Sequence, residues 1–313
     1  MSKAFLFPGQ GSQAVGMGKS LAEAFPVARS VFDEVDAALS QKLSQLMWEG
    51  PAEELTLTAN AQPALMAVSL AVVRVLESEA GLDLKRDAAF VAGHSLGEYS
   101  ALAAAGTFSI GDTARLLRIR GDAMQKAVPA GQGAMAALLG AELDLAREIA
   151  SAAAEGEVCE AANDNGGGQV VLSGAKAAID RAIALAGERG VKRAMLLPVS
   201  APFHCALMQP AAEAMRDALS QVTMRAPVVP VMANVGAAPL SDPDAIRASL
   251  VAQVTGTVRW RECVQAMAAA GVTDFVELGS GKVLAGLVKR IAAGTTQASI
   301  GTADDIAAWK ARA

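Results

Sequence analysis

The sequence predicts an α/β fold in which a parallel sheet is covered by helices and carries a smaller inserted subdomain. Two observations lead to this prediction. Towards both ends of the chain, continuous apolar segments of strand length alternate with longer helix-like segments, a pattern typical of a parallel sheet buried on both faces. The middle third instead has the order βαββαβ, which is the ferredoxin-like arrangement with its own small sheet.

The elements of the core follow from apolar periodicity and from turn residues. Before the insert, strands are predicted at 4–7 and 88–92, and helices at 17–48, 61–80, 96–105 and 111–127. After the insert, strands are predicted at 228–232 and 273–278, and helices at 243–253, 259–270 and 282–292. We therefore predict one α/β core domain, which consists of residues 1–128 and 199–313.

The insert is predicted to cover residues 129–198 and to begin at the linker 129–133, which contains proline and glycine. Its strands are expected at 134–139, 158–162, 169–173 and 192–198, and its helices at 142–154 and 175–188. A cleft between two such units is a natural place for a substrate.

The composition limits the classes of protein to consider. With 313 residues, of which 52% are hydrophobic and 19% charged, the chain can bury a substantial core. Its net charge of −5 and its 4% aromatic content argue against nucleic-acid binding. The first residues lack the long apolar segment of a signal peptide, and the apolar stretch 65–76 is interrupted by Ser69 and Arg74. We therefore expect a cytoplasmic protein that does not enter a membrane.

Ser95 is the first candidate for catalysis. It lies at the centre of the G-x-S-x-G segment 93–97, between the predicted strand 88–92 and the predicted helix 96–105. A sharp strand-to-helix turn of this kind exposes the central side chain and requires glycine on both sides. It also directs the amide of Leu96 towards a substrate, beside the positive end of the helix dipole. The alternative is a serine that only caps the helix.

A serine nucleophile needs a base, and the chain contains two histidines, His94 and His204. The side chain of His94 should point away from the Ser95 hydroxyl, because adjacent side chains on an extended backbone face opposite ways. His204 follows the predicted strand 192–198, at the type of strand end where α/β active sites assemble. His204 is therefore the better candidate, and the alternative is a structural histidine satisfied by backbone groups.

Arg120 lies in the middle of the apolar face of the predicted helix 111–127, on the same arc as Leu116, Leu117 and Met124. A guanidinium on an inward face is costly unless a carboxylate or a phosphate meets it. Two interpretations follow. Arg120 forms a buried ion pair with an acidic residue of the protein, or it binds the carboxylate of a substrate in a bidentate manner.

The loop after the first strand, residues 7–13, is predicted to lie at the carboxyl edge of the sheet. Its glycines allow main-chain amides to approach a ligand, and Gln10, which lies between two of them, is a candidate second oxyanion donor. With Ala14 the loop also satisfies a loose dinucleotide-binding fingerprint, but that alternative leaves the serine and histidine candidates unused.

Five segments carry motifs in a fixed order, at residues 7–13, 62–64, 93–102, 120–125 and 203–208. Together they resemble the motifs of the malonyl-CoA:acyl carrier protein transacylase family, over about residues 4–292. The resemblance implies an acyltransferase with a hydrolase-like α/β core and the ferredoxin-like insert. It also implies transfer of a malonyl group from malonyl-CoA to the phosphopantetheine thiol of acyl carrier protein, for fatty acid or polyketide synthesis.

The resemblance assigns the catalytic roles to particular residues. Ser95 matches the nucleophile, His204 matches the base, and the main-chain amides of Gln10 and Leu96 match the oxyanion donors. Gln253 resembles the position whose main-chain carbonyl orients the histidine, which implies a Ser–His dyad in place of a triad.

Two further residues are assigned to substrate binding by the same resemblance. Arg120 matches the arginine that forms a salt bridge with the malonyl carboxylate. Phe203 resembles the malonyl-selective variant in polyketide acyltransferases, where the ring crowds the α-carbon, whereas many stand-alone homologues have serine there.

The implied substrate and partner are malonyl-CoA and acyl carrier protein, with no cofactor and no metal ion, and we expect a monomer. Cys159, Cys205 and Cys263 are too widely spaced to suggest a disulfide framework or a zinc site. Because carrier proteins are acidic, a local basic patch is predicted for docking. Its candidate residues are Lys192, Arg193, Lys282, Lys289 and Arg290.

Three alternative functions stay open at this point. A serine esterase or thioesterase shares the nucleophile and differs only in the final acceptor. A trans-acting polyketide acyltransferase performs the same chemistry in another pathway. A non-catalytic module could bind acyl-CoA or a carrier protein in the same cleft.

Overall fold

The computed structural model describes residues 2–311, and over this range the chain forms two β-sheets. The strands are β1 (Ser2–Phe7), β2 (Phe90–Gly93), β3 (Gly133–Leu139), β4 (Cys159–Asp164), β5 (Gln169–Ala175), β6 (Arg193–Leu196), β7 (Val231–Ala233), β8 (Ala238–Leu240), β9 (Val272–Leu278) and β10 (Thr296–Ile300). The helices are α1 (Lys19–Ala24), α2 (Pro26–Leu39), α3 (Leu43–Glu49), α4 (Ala52–Thr56), α5 (Thr58–Ala80), α6 (Leu84–Asp87), α7 (Leu96–Ala104), α8 (Ile110–Ala127), α9 (Leu143–Ala154), α10 (Lys176–Glu188), α11 (Gln209–Ser220), α12 (Pro243–Thr255), α13 (Trp260–Ala269), α14 (Val283–Ile291) and α15 (Ala303–Lys310).

The larger sheet has the order β10-β9-β1-β2-β7-β8, and only its β7–β8 pair is antiparallel. Strand β1 is buried from both sides. Phe5 and Phe7 belong to the apolar cluster that includes α2, α5 and α8, whereas Ala4 and Leu6 belong to the cluster that includes α13 and α14. Alternate residues of one strand therefore enter two different cores. This confirms the predicted parallel sheet with helices on both faces.

The smaller sheet has the order β4-β5-β3-β6, and all of its pairs are antiparallel. Together with α9 and α10 it forms the βαββαβ unit, which has an apolar core of its own. This is the strand order of a ferredoxin-like subdomain, so the predicted fold class is confirmed. The elements of this unit lie at residues 133–196, while the domain limits 129 and 198 stay a prediction.

Strand β4 attaches the insert to the core domain. The amide of Val258 donates to the carbonyl of Ala162 over 2.8 Å, and the amide of Asp164 donates to the carbonyl of Val258 over 2.9 Å. The carboxylate of Asp164 is buried and pairs with Arg261 of α13 at 2.8 Å. The end of β4 is therefore held beside the core, where Asn163 reaches the cleft between the two units.

Six elements lie outside the sequence prediction, namely the helices α4, α6, α11 and α15 and the strands β8 and β10. Helix α11 has the apolar period that predicts a helix, with Ala211, Ala212, Met215 and Leu219 buried on one face. Strands β8 and β10 have three and five residues and lie at the two edges of the sheet. Their sequences contain few of the β-branched and aromatic residues that predict a strand.

Helix α5 is long and apolar enough to cross a membrane by composition, but 83% of its most apolar window is buried inside the protein. It packs against α2 and α8 as a core helix. It begins at Thr58, three residues before the predicted start, and it contains Pro63 in its second turn.

The turn between β2 and α7 is packed so tightly that two glycines are sterically required. A Cβ at Gly93 would lie 1.9 Å from the carbonyl carbon of Gly97, and a Cβ at Gly97 would lie 2.1 Å from the carbonyl oxygen of Phe7. Ser95 between them has φ 53° and ψ −110°, a conformation that is uncommon for residues other than glycine. The turn is therefore pressed against the loop that follows β1.

Replacement of Gly97 by alanine should disrupt this packing. The new Cβ would meet main-chain atoms of Phe7 and Pro8, which cannot move away by a rotamer change. We expect Gly97→Ala to lower the free energy of unfolding by more than about 2 kcal/mol, measured by urea denaturation. The matched control is Gly187→Ala on the exposed face of α10, where no atom lies within 4 Å of the new Cβ. This control should gain about 0.5 kcal/mol, and equal stability of the two variants would contradict the prediction.

Candidate active site

Ser95 and His204 are 109 residues apart in the sequence, and the fold brings them together. The Ser95 hydroxyl lies 2.7 Å from Nε2 of His204. Ser95 occupies the position before α7, but its side chain makes no capping hydrogen bond. The helix-cap interpretation of Ser95 is therefore wrong, because its hydroxyl is directed at His204 and not at the helix.

The main chain fixes the tautomer of His204. Its Nδ1 lies 2.9 Å from the carbonyl oxygen of Gln253, which can only accept a hydrogen bond. Nδ1 therefore carries the proton, and Nε2 is left as the acceptor for the Ser95 hydroxyl. Among the described residues, five that are not glycine have positive φ, and Ser95 and His204 are two of them. Both side chains are thus aimed by a backbone conformation that the surrounding structure must hold.

The environment of His204 favours its neutral form. The side chain is buried, and burial together with the nearby charge of Arg120 lowers the pKa of His204 to about 3. A neutral imidazole at ordinary pH is the form that can accept a proton from a serine hydroxyl.

Arg120 is 1% exposed and lies on the inward face of α8, as predicted. One Nη donates to Oε1 of Gln62 over 2.8 Å, and the other donates to Oε1 of Gln253 over 2.9 Å and to the Ser95 hydroxyl over 3.0 Å. Within residues 2–311 no carboxylate forms an ion pair with it. The alternative of an ion pair with an acidic residue of the protein is therefore wrong, and the guanidinium can still pair with an external anion.

The loop with Gln10 lies against the serine turn. The amide of His94 donates to the carbonyl of Phe7 over 3.1 Å, and the side-chain oxygen of Gln10 accepts a hydrogen bond from Thr58 over 2.9 Å. In the part of the chain that the structure describes, the main-chain amides of Gln10 and Leu96 donate no hydrogen bond. Both amides are therefore available for an anionic oxygen. No helix begins directly after this loop, since α1 starts at Lys19, so the dinucleotide-binding alternative lacks its phosphate-binding helix.

Six of the seven predicted site residues line one cavity of about 480 Å³. They are Gln10, Ser95, Leu96, Arg120, Phe203 and His204. The seventh, Gln253, lies behind the cavity wall and is fully buried. Two cavities of about 550 and 590 Å³ lie along β10, but neither contains a serine paired with a base. The chemistry of the lining residues, and not the volume, identifies the candidate site.

His94 faces away from the Ser95 hydroxyl, as predicted. Its Nε2 lies 2.9 Å from Oδ1 of Asn165 in the insert, and its ring lies 5.7 Å from that of Trp260. His94 therefore links the serine turn to the insert and does not compete with His204 as the base.

Three polar residues of the site were not assigned a role from the sequence. Gln62 binds Arg120 and donates to Thr58 over 2.9 Å. The side chain of Asn234 accepts a hydrogen bond from the amide of Ser95 and donates one to the carbonyl of Gly93, both over 2.8 Å. Glu98 accepts the amide of Asn234 over 3.0 Å. The sequence could have indicated Asn234, because it directly follows the apolar strand β7, at the carboxyl edge of the sheet where active sites assemble.

Comparison with known proteins gives consistent matches over almost the whole chain. The family model described as the acyl transferase domain matches residues 4–304. The malonyl CoA-acyl carrier protein transacylase of Bacillus subtilis (strain 168) is 48% identical over 293 residues, which cover 93% of this chain and 91% of that protein.

Solved structures agree with these matches. The acyl-carrier-protein-S-malonyltransferase of Bartonella henselae is 59% identical with a TM-score of 0.96, covering 99% of this chain and 98% of that one. A malonyl-transacylase in complex with its type II PKS acyl-carrier protein is 39% identical, also with a TM-score of 0.96, and both chains are fully covered.

The low pKa of His204 predicts how the reactivity of Ser95 depends on pH. Modification of Ser95 by phenylmethanesulfonyl fluoride, followed by intact-protein mass spectrometry, should proceed at pH 5 almost as fast as at pH 7. The lowered pKa keeps the imidazole neutral in this range, whereas a base with the ordinary pKa of about 6.5 would lose most of the rate by pH 5. His204→Ala should be slow at both pH values. A half-maximal rate near pH 6.5 in the unsubstituted protein would contradict the prediction.

Proposed function

This chain belongs to the acyl transferase family, among its malonyl CoA-acyl carrier protein transacylases, and on that premise we propose that it transfers the malonyl group of malonyl-CoA to acyl carrier protein. The group passes through an ester with Ser95 to the phosphopantetheine thiol of the carrier. The observation that carries this proposal is the position of the buried Arg120 guanidinium, 3.0 Å from the nucleophile that pairs with His204. One cavity thus combines a serine nucleophile with a cation for a carboxylate.

In the first half-reaction Ser95 attacks the thioester carbonyl while His204 takes its proton. The carbonyl oxygen becomes an oxyanion, which the main-chain amides of Gln10 and Leu96 stabilise by about 3 kcal/mol per donor. When the tetrahedral intermediate collapses, the carbon–sulfur bond breaks and His204 returns its proton to the sulfur of coenzyme A. The product is malonyl-Ser95 and free coenzyme A.

The second half-reaction reverses this sequence with a different thiol. His204 takes the proton of the phosphopantetheine thiol, whose sulfur attacks the ester carbonyl of malonyl-Ser95 at the same oxyanion site. Breakage of the ester bond returns the proton from His204 to the Ser95 hydroxyl. The carrier leaves with the malonyl thioester, and the dyad is restored. The carbonyl of Gln253 holds the imidazole in one tautomer through both halves.

Arg120 supplies the preference for a carboxylated acyl group. A planar guanidinium binds a carboxylate through two parallel hydrogen bonds, and the side-chain oxygens of Gln62 and Gln253 hold it in place. An acyl group without a carboxylate would leave this buried cation unpaired, which is unfavourable. Phe203 lines the same cavity and narrows the space for a substituent on the α-carbon.

We further propose that the reaction occurs in the cytoplasm, in a monomer that requires neither cofactor nor metal ion. The transferred group forms a bond only with Ser95 and the two thiols, so the steps above need no other group. The product serves fatty acid or polyketide synthesis, and the solved complex with a type II PKS carrier protein keeps polyketide loading as the second candidate.

Acyl carrier protein is proposed to dock on the predicted basic patch. A Cβ at Gly140 would lie 2.9 Å from the side chain of Lys192, and the amide of Gly140 donates to the carbonyl of Gly168 over 2.7 Å. A Cβ at the neighbouring Gly167 would lie 3.0 Å from Cβ of Arg290. Lys192 and Arg290 therefore flank one turn, although they belong to different units of the fold.

This patch adjoins the catalytic cavity. Lys282 and Arg290 line a second cavity of about 440 Å³, which shares Gln10 and His94 with the catalytic cavity. A phosphopantetheine arm that enters beside these cations would lead towards Ser95. The proximity of positive side chains to the entrance supports an acidic partner even though the whole chain is negative.

Labelled malonyl-CoA tests the reaction directly. Without a carrier, the label should form an ester on Ser95, and added holo-acyl carrier protein should take it up. Ser95→Ala should abolish the ester and lower transfer by at least about 10³-fold, while Ser100→Ala on the same helix should keep it. Label released only as free malonate would indicate an esterase or thioesterase. An ester that persists in Ser95→Ala would contradict the role of Ser95, and tight binding without any ester would indicate a non-catalytic module.

Charge reversal tests the docking surface. Lys192→Glu and Arg290→Glu should each lower kcat/KM for acyl carrier protein on the order of tenfold, with little change in the rate of Ser95 acylation. The matched control is Lys85→Glu. Lys85 is an exposed lysine of α6, which precedes the amino end of β2, whereas Ser95 follows its carboxyl end. Transfer rates that are unchanged in both variants and insensitive to salt would contradict this site.

A further inference from the structure

Glu98 is a buried acid next to the nucleophile, and the reaction steps above do not use it. It lies in the first turn of α7 and is 1% exposed. Burial raises the pKa of its carboxyl to about 7, against the effect of its hydrogen bonds and of the charge of Arg120. A carboxyl buried without an ion pair is unfavourable, so its presence directly below the catalytic turn requires an explanation.

The hydrogen bonds of Glu98 lead to the catalytic residues. Its Oε2 accepts one hydrogen bond from the side-chain Nε2 of Gln253 over 2.8 Å and another from the amide of Asn234 over 3.0 Å. The side chain of Asn234 in turn accepts the amide of Ser95. Glu98 therefore reaches both sides of the dyad through a single oxygen.

Gln253 is the residue in which these contacts meet. Its Oε1 accepts from Arg120 over 2.9 Å, and its main-chain carbonyl accepts from Nδ1 of His204 over 2.9 Å. Arginine can only donate hydrogen bonds, so the amide oxygen of Gln253 must face Arg120 and its NH₂ group must face an acceptor. The nearest acceptor is Oε2 of Glu98 at 2.8 Å, and the carbonyl of Ser95 at 3.1 Å and Oδ1 of Asn234 at 3.4 Å lie beside the same NH₂ group.

We propose that Glu98 is a positioning residue, which fixes the side chain of Gln253 so that Arg120 is aligned for the substrate carboxylate and His204 for the nucleophile. This inference deepens the proposed function and rests on it. The amide of Gln253 separates the carboxyl of Glu98 from the guanidinium, so Glu98 does not occupy the hydrogen-bonding positions that a malonyl carboxylate needs. A direct ion pair would hold Arg120 equally well but would compete with the substrate.

The role of Glu98 depends on an acceptor oxygen at the position of Oε2. A carboxyl oxygen accepts both hydrogen bonds whether the group is ionised or protonated through its other oxygen, and a glutamine side chain offers a carbonyl oxygen at the same place. The conservative Glu98→Gln variant should therefore preserve the alignment. Glu98→Ala removes the oxygen, and Glu98→Asp withdraws it by one methylene while the charge is kept.

The experiment compares acylation of Ser95 by malonyl-CoA and by acetyl-CoA, because only malonyl carries the carboxylate that Arg120 binds. In Glu98→Ala, kcat/KM should fall on the order of 100-fold for malonyl-CoA and on the order of tenfold for acetyl-CoA. The preference for malonyl should thus fall about tenfold, mainly through KM. Glu98→Asp should change the preference in the same direction, and Glu98→Gln should stay within about threefold of the unsubstituted protein. The Arg120→Ala variant serves as a reference, because it gives the ratio of kcat/KM for malonyl-CoA to that for acetyl-CoA in the absence of carboxylate recognition.

The matched control is Glu277→Ala. Within residues 2–311 Glu277 is also a buried carboxyl without an ion pair, and it accepts hydrogen bonds from the amides of Leu284 and Ala285 at the start of α14. Its removal should lower the melting temperature but leave the preference for malonyl unchanged. A merely structural Glu98 would behave in the same way.

An unchanged preference in soluble, folded Glu98→Ala or Glu98→Asp would overturn the role of Glu98, and so would a Glu98→Gln variant as impaired as Glu98→Ala. If Glu98→Ala does not fold, the comparison of Glu98→Asp with Glu98→Gln decides between the same results. Failure of the unsubstituted protein to form malonyl-Ser95 would instead overturn the proposed function, and the role of Glu98 with it.

Discussion

The site depends on the burial of the Arg120 guanidinium, with which no carboxylate of the described residues forms an ion pair. Removing such a group from water is unfavourable unless its donors are satisfied. The two Nη atoms donate to the side chains of Gln62, Ser95 and Gln253, while Nε has no partner among the described residues. These side chains come from α5, from the turn before α7 and from α12, so a single charged group ties three segments together. Because these acceptors carry no net charge, the guanidinium keeps its attraction for an external anion, which is what selection of a carboxylated acyl group requires.

The second constraint is the close approach of main chains around Ser95. Gly93 lets the turn close tightly on Gly97 and Glu98, and Gly97 lets it lie directly on Phe7 and Pro8. Gln10 and Leu96 line the same cavity as the serine. The unusual conformation of Ser95 is held by the side chain of Asn234, which accepts a hydrogen bond from the amide of Ser95 and donates one to the carbonyl of Gly93. These buried hydrogen bonds offset the unfavourable backbone conformation of Ser95. The hydroxyl is therefore aligned with His204 before a substrate binds.

The sequence predicted the sheet, the insert and the inward face of Arg120, because each of these follows from local periodicity. It also indicated Ser95 as the nucleophile and His204 as the base, since a chain with two histidines has few candidates for a base. The pattern could not give the partners of Arg120, because Gln62 and Gln253 are 58 and 133 residues away and meet it only in the fold. Glu98 was visible as an acid in a small-residue helix, but only the contact with Gln253 shows why a carboxyl is tolerated there. The unpredicted edge strand β10 has mixed polar residues, and its pairing with β9 decides its conformation.

The charge of Arg120 also acts on the base. Arg120 is, after burial, the second cause that lowers the pKa of His204, so it opposes protonation of the imidazole when the serine proton is transferred. Within the proposed function, a malonyl carboxylate that pairs with Arg120 neutralises this charge and makes His204 a stronger base at the moment when malonyl-CoA is bound. An acetyl group leaves the guanidinium unpaired, and the imidazole then keeps its low basicity. Within the proposed function, carboxylate recognition would therefore contribute to the chemical step as well as to binding, because Arg120 and His204 both contact the Ser95 hydroxyl.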